Sequence, residues 1–142
     1  MPMTQPAEKD AARTHSIRIL IVDDDNVNAN LAKSVLERSG CLVRVASNPV
    51  RMLERYARES DSIDVVIVDC FTLSVEIGEA VQRLRNLNPE IKLILFSSGD
   101  EVVTRQAMDR YPFDAQIRKP FQAEETLQAI RQLLPVLEMQ SF

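Results

Sequence analysis

A chain of 142 residues, 45% apolar and 27% charged, has the make-up of one globular domain and is long enough to bury a single core. A net charge of -4 and a pI near 5.1 argue against a nucleic-acid-binding surface. No apolar stretch approaches the roughly 18 residues needed to span a bilayer. Residues 1–16 are polar, carry Pro2 and Pro6 and lack the apolar core of a secretory signal, so a flexible tail is expected there. Cys41 and Cys70 form no CxxC and read as free thiols in a reducing, cytoplasmic compartment. His15, the single histidine, lies in the tail, which leaves Ser–His and Cys–His nucleophile pairs without support.

Ile17 to Val22 is an apolar run broken only by Arg18, as expected of a strand buried on both faces. Asp25, Asn26 and Asn28 are candidate caps for a helix with Leu31, Ala32, Val35 and Leu36 inward, and Gly40 suits the position just past its end. Leu42 to Ala46 reads as a second strand. Asn48-Pro49 opens a helix as cap and first residue, with Val50, Leu53 and Ala57 expected inside. Ile63 to Val68 is a third strand, rich in β-branched residues. Ser74 is placed to cap a helix burying Ile77, Val81, Leu84 and Leu87, which Asn88-Pro89 stops. A fourth strand runs from Ile91 to Phe96. Asp100 opens a helix bearing Val103, Ala107 and Met108, ended by Pro112. Ala115 to Arg118 makes a short fifth strand, and a last helix from Ala123 to Leu134 turns Leu127, Ile130 and Leu134 inward before Pro135.

Strands alternating with helices, joined by right-handed crossovers, predict a parallel sheet covered on both faces. The dinucleotide-binding version needs a Gly-rich first turn, and Gly40, Gly78 and Gly99 are the only glycines. A flavodoxin-like five-stranded order of 2-1-3-4-5 is left, its switch point between the first and third strands. Asp23 and Asp24 end the first of these strands and Asp69 ends the third. Ser97 ends the fourth and Lys119 the fifth. Ligands of open α/β sheets bind at that edge.

Taken alone, Asp23-Asp24-Asp25 is more simply a capping loop than a metal site, because acidic groups are favoured before a helix. An EF-hand is excluded, since no register supplies its Gly and Glu. Asp69 has no helix immediately after it. Two carboxylates about 4 Å apart repel by roughly 4 kcal/mol at an effective dielectric near 20, so a cluster calls for a raised pKa, an ammonium partner or a divalent cation. Oxygen ligands without His or Cys suit Mg²⁺. Mg²⁺, a carboxylate, a lysine and a hydroxyl together suit phosphoryl transfer. Lys119 before Pro120 and Ser97 near Asp100 also have ordinary surface and capping explanations; their joint placement at strand ends is what chance explains poorly.

Val22-Asp23-Asp24-Asp25, Val68-Asp69, Phe96-Ser97-Ser98 and Arg118-Lys119-Pro120-Phe121 resemble the receiver domain of two-component response regulators. The resemblance covers residues 17–135, with 136–142 as a C-terminal extension or the start of a linker. It implies that Asp69 accepts a phosphoryl group from a sensor histidine kinase or histidine phosphotransfer protein. It also implies that Asp23, Asp24, Asp69 and the Phe71 carbonyl hold Mg²⁺, that Ser97 is the switch hydroxyl, and that Lys119 pairs with the phosphoryl group. The fourth helix, fifth strand and fifth helix would form an output surface for a downstream protein or effector domain. The domain would act as a monomer or a weak phosphorylation-dependent dimer, as a switch rather than an enzyme with a separate substrate, and without contact to nucleic acid or membrane.

The sequence departs from the family pattern in two places. Thr72 and Leu73 stand where Met-Pro is usual, with Gly78 one residue late, which points to a one-residue insertion in that loop. Gln116 occupies the position of a switch aromatic. A docking module with the same fold and no phosphoryl chemistry is therefore an alternative. A haloacid-dehalogenase-type phosphatase with Asp23 as nucleophile fits Asp23-x-Asp25, Ser97 and Lys119 in order. It lacks a later acidic pair and leaves Asp69 unexplained. The last residues are too few for a DNA-binding module, so a stand-alone receiver or one cut from a longer protein is expected.

Overall fold

The computed structural model describes residues 16–59, 63–69, 75–97, 101–118 and 122–134. Five strands alternate with five helices: β1 Arg18–Val22, α1 Asn26–Arg38, β2 Leu42–Ala46, α2 Pro49–Glu59, β3 Val65–Asp69, α3 Val75–Leu87, β4 Lys92–Ser97, α4 Glu101–Arg110, β5 Ala115–Arg118 and α5 Ala123–Leu133. The strands pair in parallel in the order β2-β1-β3-β4-β5. This is the flavodoxin-like arrangement expected from the alternation of apolar runs and helical stripes. It follows because parallel neighbours need long crossovers, which bury both sheet faces.

Period-two alternation divides each central strand between two cores. Leu20, Val66, Val68, Leu93 and Leu95 pack with Met52, Tyr56, Ile77, Val81, Leu84 and Ala107 of α2, α3 and α4. Ile19, Ile21, Val65, Ile67 and Ile94 pack with Ala29, Ala32 and Leu36 of α1 and Leu127 and Ile130 of α5. Each Val, Leu, Ile or Met among them contributes about 1.5–3 kcal/mol on burial, before the entropy of ordering is subtracted.

The helix boundaries follow local chemistry. The Asp25 carboxylate accepts from the Asn28 N–H at 3.1 Å, capping α1. Asn48 Oδ1 accepts from the Arg51 N–H at 2.8 Å and caps α2, which begins at Pro49. Gly40 has φ +95° just past the end of α1, and the N–H groups of Gly40 and Cys41 bond back to the carbonyls of Glu37 and Leu36. The Ser74 and Asp100 caps, and Pro135, lie outside the described residues.

The helix faces needed correction. Leu31, Val50, Leu87 and Val103 are exposed, and so is Ala57. The inward positions are instead Ala29 on α1, Met52 and Tyr56 on α2, Ala80 on α3 and Thr104 on α4. The physical reason is phase. A 3.6-residue stripe broad enough for several apolar residues admits neighbouring rotations, and the strand side chains beneath choose among them. At the amino edge, Arg85 ties three turns together. Its guanidinium donates to the carbonyls of Pro89, Ile91 and Pro112 and to Asp114 at 2.6 Å, while Asp114 also accepts from the Leu93 N–H.

Candidate functional site

Strand register brings the polar strand ends into one row. Val22 pairs with Ala46 on one side and with Val68 on the other, so Asp23 and Asp69 each extend adjacent strands by one residue beyond these partners. Neighbouring strands lie about 4.8 Å apart. Asp69 pairs with Phe96 and Ser97 pairs with Arg118, which continues the row across β4 to β5. Asp23 and Asp69 continue the 19-21 and 65-67 series on the α1/α5 side. Ser97 continues the 93-95 series on the α4 side.

These three polar groups are buried: Asp23 is 3% exposed, Asp69 2% and Ser97 1%. Asp23 holds the turn into α1, its N–H donating to the Ala46 carbonyl at 3.0 Å and its Oδ1 accepting from the Asp25 N–H at 2.9 Å. Asp24 is exposed, and Asp25 is the cap. Asp69 closes β3, and α3 among the described residues spans Val75–Leu87. The Ser97 hydroxyl donates to the Ile117 carbonyl at 3.4 Å, well beyond the usual 2.7–2.8 Å of such a bond. Lys119 and Phe71 lie outside the described residues.

The donor set fits Mg²⁺. Two buried carboxylates on adjacent strands and a third, exposed one in the next position are hard oxygen ligands, and Mg²⁺ takes one or two carboxylates and keeps several waters. Among the described residues no three His, Cys, Asp or Glu side chains close into a metal-binding group.

Beside Ser97, on the α4 side of the sheet, opens a groove of about 400 Å³ lined by Ser97, Glu101, Thr104, Arg105, Met108, Gln116 and Arg118. Arg118 bonds Glu101 across it, an exposed pair of small energetic weight. Thr104 is 4% exposed, and its Oγ1 is buried without a hydrogen-bond partner. Such a group costs about 1–3 kcal/mol. Sequence reading passed Thr104 over. The available signal was its place three residues before buried Ala107, on the inward side of α4.

The receiver-domain profile, "Response regulator receiver domain", matches residues 19–131. Among curated proteins the chain is 31% identical over 119 residues to the response regulator MprA of Mycobacterium ulcerans, covering 84% of this chain and 50% of that protein. It is likewise 31% identical over 118 residues to MprA of Mycobacterium leprae, covering 83% and 51%. The chain thus spans about half the length of the curated relatives it matches. Among solved structures, a receiver domain protein from Clostridium thermocellum superposes with a TM-score of 0.74 at 23% identity, covering 87% of this chain and 98% of that one. A CheY-like receiver protein from Methanospirillum hungatei gives 0.69 at 26%, covering 88% and 98%. TrrA from Thermotoga maritima, in complex with Mg²⁺-BeF, gives 0.68 at 24%, covering 82% and 98%. No helix among the described residues is long and apolar enough to cross a membrane. With the parallel 2-1-3-4-5 sheet and buried acidic strand ends, these matches show that the chain belongs to the receiver-domain family of two-component response regulators, a family of signalling domains.

Proposed function

We propose that this domain is a phosphorylation switch in which Asp69 takes a phosphoryl group from a phosphohistidine of a sensor kinase or phosphotransfer protein. One observation carries the reading. Asp69 is a buried carboxylate at the end of β3, beside buried Asp23 at the sheet's switch point. An Asp69 oxygen attacks phosphorus, a P–O bond forms, the P–N bond to the donor imidazole breaks, and the imidazole leaves. Asp23, Asp24, Asp69 and the Phe71 carbonyl would hold Mg²⁺, which when bound neutralises charge on the phosphoryl oxygens. Its binding to TrrA, a protein of the same fold, supports that assignment. Lys119 follows Arg118 at the end of β5 and would pair with the same oxygens.

Ser97 is the switch hydroxyl. Its long bond to the Ile117 carbonyl is a weak tether that a phosphoryl oxygen competes with readily. Losing that bond alters β5 and its neighbours, so α4, β5 and α5 form the surface a downstream protein or effector domain reads in the cytoplasm. The domain works as a monomer or a weak dimer that phosphorylation promotes. The test is intact-mass analysis after incubation with a small acyl phosphate. One phosphoryl group is expected with Mg²⁺ and none with a chelator. No adduct under either condition would leave the fold as a docking module alone.

A further inference from the structure

We propose that the outer edge of β2 is a docking site for an extended acidic peptide, which adds to the sheet between α1 and α2 and sets its carboxylates on the arginines of α2. The site lies at the opposite end of the strand order from β5 and does not depend on phosphorylation of Asp69.

β2 is an edge strand, with β1 its only strand neighbour among the described residues. Its pairing fixes which main-chain groups face outward. The Leu42 N–H donates to the Ile17 carbonyl, and the Ala46 carbonyl accepts from the Asp23 N–H, so the even-numbered residues of β2 face β1. Val43 and Val45 therefore turn their N–H and C=O groups away from the sheet, toward any strand added there.

A groove of about 320 Å³ opens at this edge, lined by Val45, Ala46 and Ser47. Asn26 and Asn30 line it from α1, and Arg51, Arg55 and Arg58 line it from α2. These two helices cover opposite faces of the sheet, so a groove lined by both has the strand edge between its walls. Side chains of an added strand would alternate between the two walls.

The arginines are spaced i, i+4, i+7, which makes one helix face about 10.5 Å long. Alternate residues of an extended chain are about 6.7 Å apart, so two or three acidic side chains cover that span. Arg55 is bound to Glu59, which also takes Arg44, whereas Arg51 and Arg58 form no ion pair with any described residue. Both are exposed, on a chain whose net charge is -4. Glu54 lies in the same groove and disfavours a uniform polyanion, and no aromatic among the described residues lines it to stack a base. A peptide suits this set: its carboxylates meet the guanidinium groups and its main chain bonds to β2.

The experiment titrates the full chain, ¹⁵N-labelled, with an acetylated and amidated octapeptide of alternating glutamate and threonine. Saturable binding is expected, with the backbone amide signals of Val43 and Val45 shifting and exchanging more slowly with water. Arg51→Gln with Arg58→Gln should weaken binding by about tenfold, as should glutamine in place of glutamate in the peptide. The melting temperature and the yield of the acyl phosphate adduct should be unchanged in that double variant. N-methylation of one alternate set of peptide residues should abolish binding and of the other set should not, because only one set faces β2. No saturable binding at millimolar peptide overturns the inference, as does equal binding by the double variant or by both methylated peptides. An oligothymidylate that binds as tightly as the peptide, and shifts the same signals, would also overturn it by making the groove a general polyanion site.

Discussion

The ring of Tyr111 lies directly on Gly78: a Cβ built on the glycine would run into Tyr111 Cε1 and Cζ. The contact joins the turn after α4 to the first part of α3, and it gives a physical reason for glycine inside a helix. Alanine there gains about 0.5–1 kcal/mol of helix propensity but must displace the ring. Gly78→Ala is expected to be destabilising in the wild-type background, by about 1–3 kcal/mol of overpacking less that gain. In a Tyr111→Ala background the same substitution should be stabilising. A double-mutant cycle by urea denaturation checks this reversal of sign.

Arg85 and Asp114 hold the same turn at the amino edge of the sheet. Asp114 accepts from both Arg85 and the Leu93 N–H, and both side chains are largely covered. Asp114→Ala is expected to cost about 1–2 kcal/mol, because it leaves the Leu93 N–H without its acceptor while Arg85 keeps its three carbonyl partners. Asp114→Asn keeps a neutral acceptor and should cost less. Denaturation midpoints at unchanged slope measure both.

Cys41 is buried, and burial pushes its thiol above the ordinary value of 9.0, with the positive charge of Arg131 opposing. The folded state therefore holds the proton more tightly than the unfolded chain does. The associated stability is fully present below the unfolded pKa and is lost as pH rises toward the folded one. Between pH 7 and about pH 10, wild type should lose more stability than Cys41→Ala, as titrant-matched urea curves would show. Parallel profiles would contradict the burial account.

Ser97→Ala should accept the phosphoryl mimic as wild type does, yet leave the backbone amide signals of Ile117 and Arg118 unmoved on its addition. Equal responses in the two proteins would remove Ser97 from the signalling route.

The fold was legible because its determinants are short-range. Apolar runs of strand length, Asn48-Pro49 and Gly40 each announce themselves locally, and parallel pairing follows from their alternation with helices. Asp23, Asp69 and Ser97 were legible because a strand end has a known direction, so side chains far apart in sequence fall on one edge. The helix faces were less so. Leu31 and Val50 are as apolar as the residues that do go inside, and only the strands below distinguish them. Thr104 was hard to see because a polar residue breaks an apolar stripe, and only its spacing from Ala107 marked the inward side. It shares a groove with Ser97 and Gln116, on strands it meets only in three dimensions.

The central claim is that Asp69 is the nucleophile, and peptide-level mass spectrometry after treatment with acyl phosphate and Mg²⁺ tests it most directly. The account predicts a base-labile phosphoryl group on Asp69 in wild type, its loss in Asp69→Asn, and its reduction in Asp23→Asn through weaker metal binding. An adduct on Asp23, or one that persists in Asp69→Asn, would contradict it.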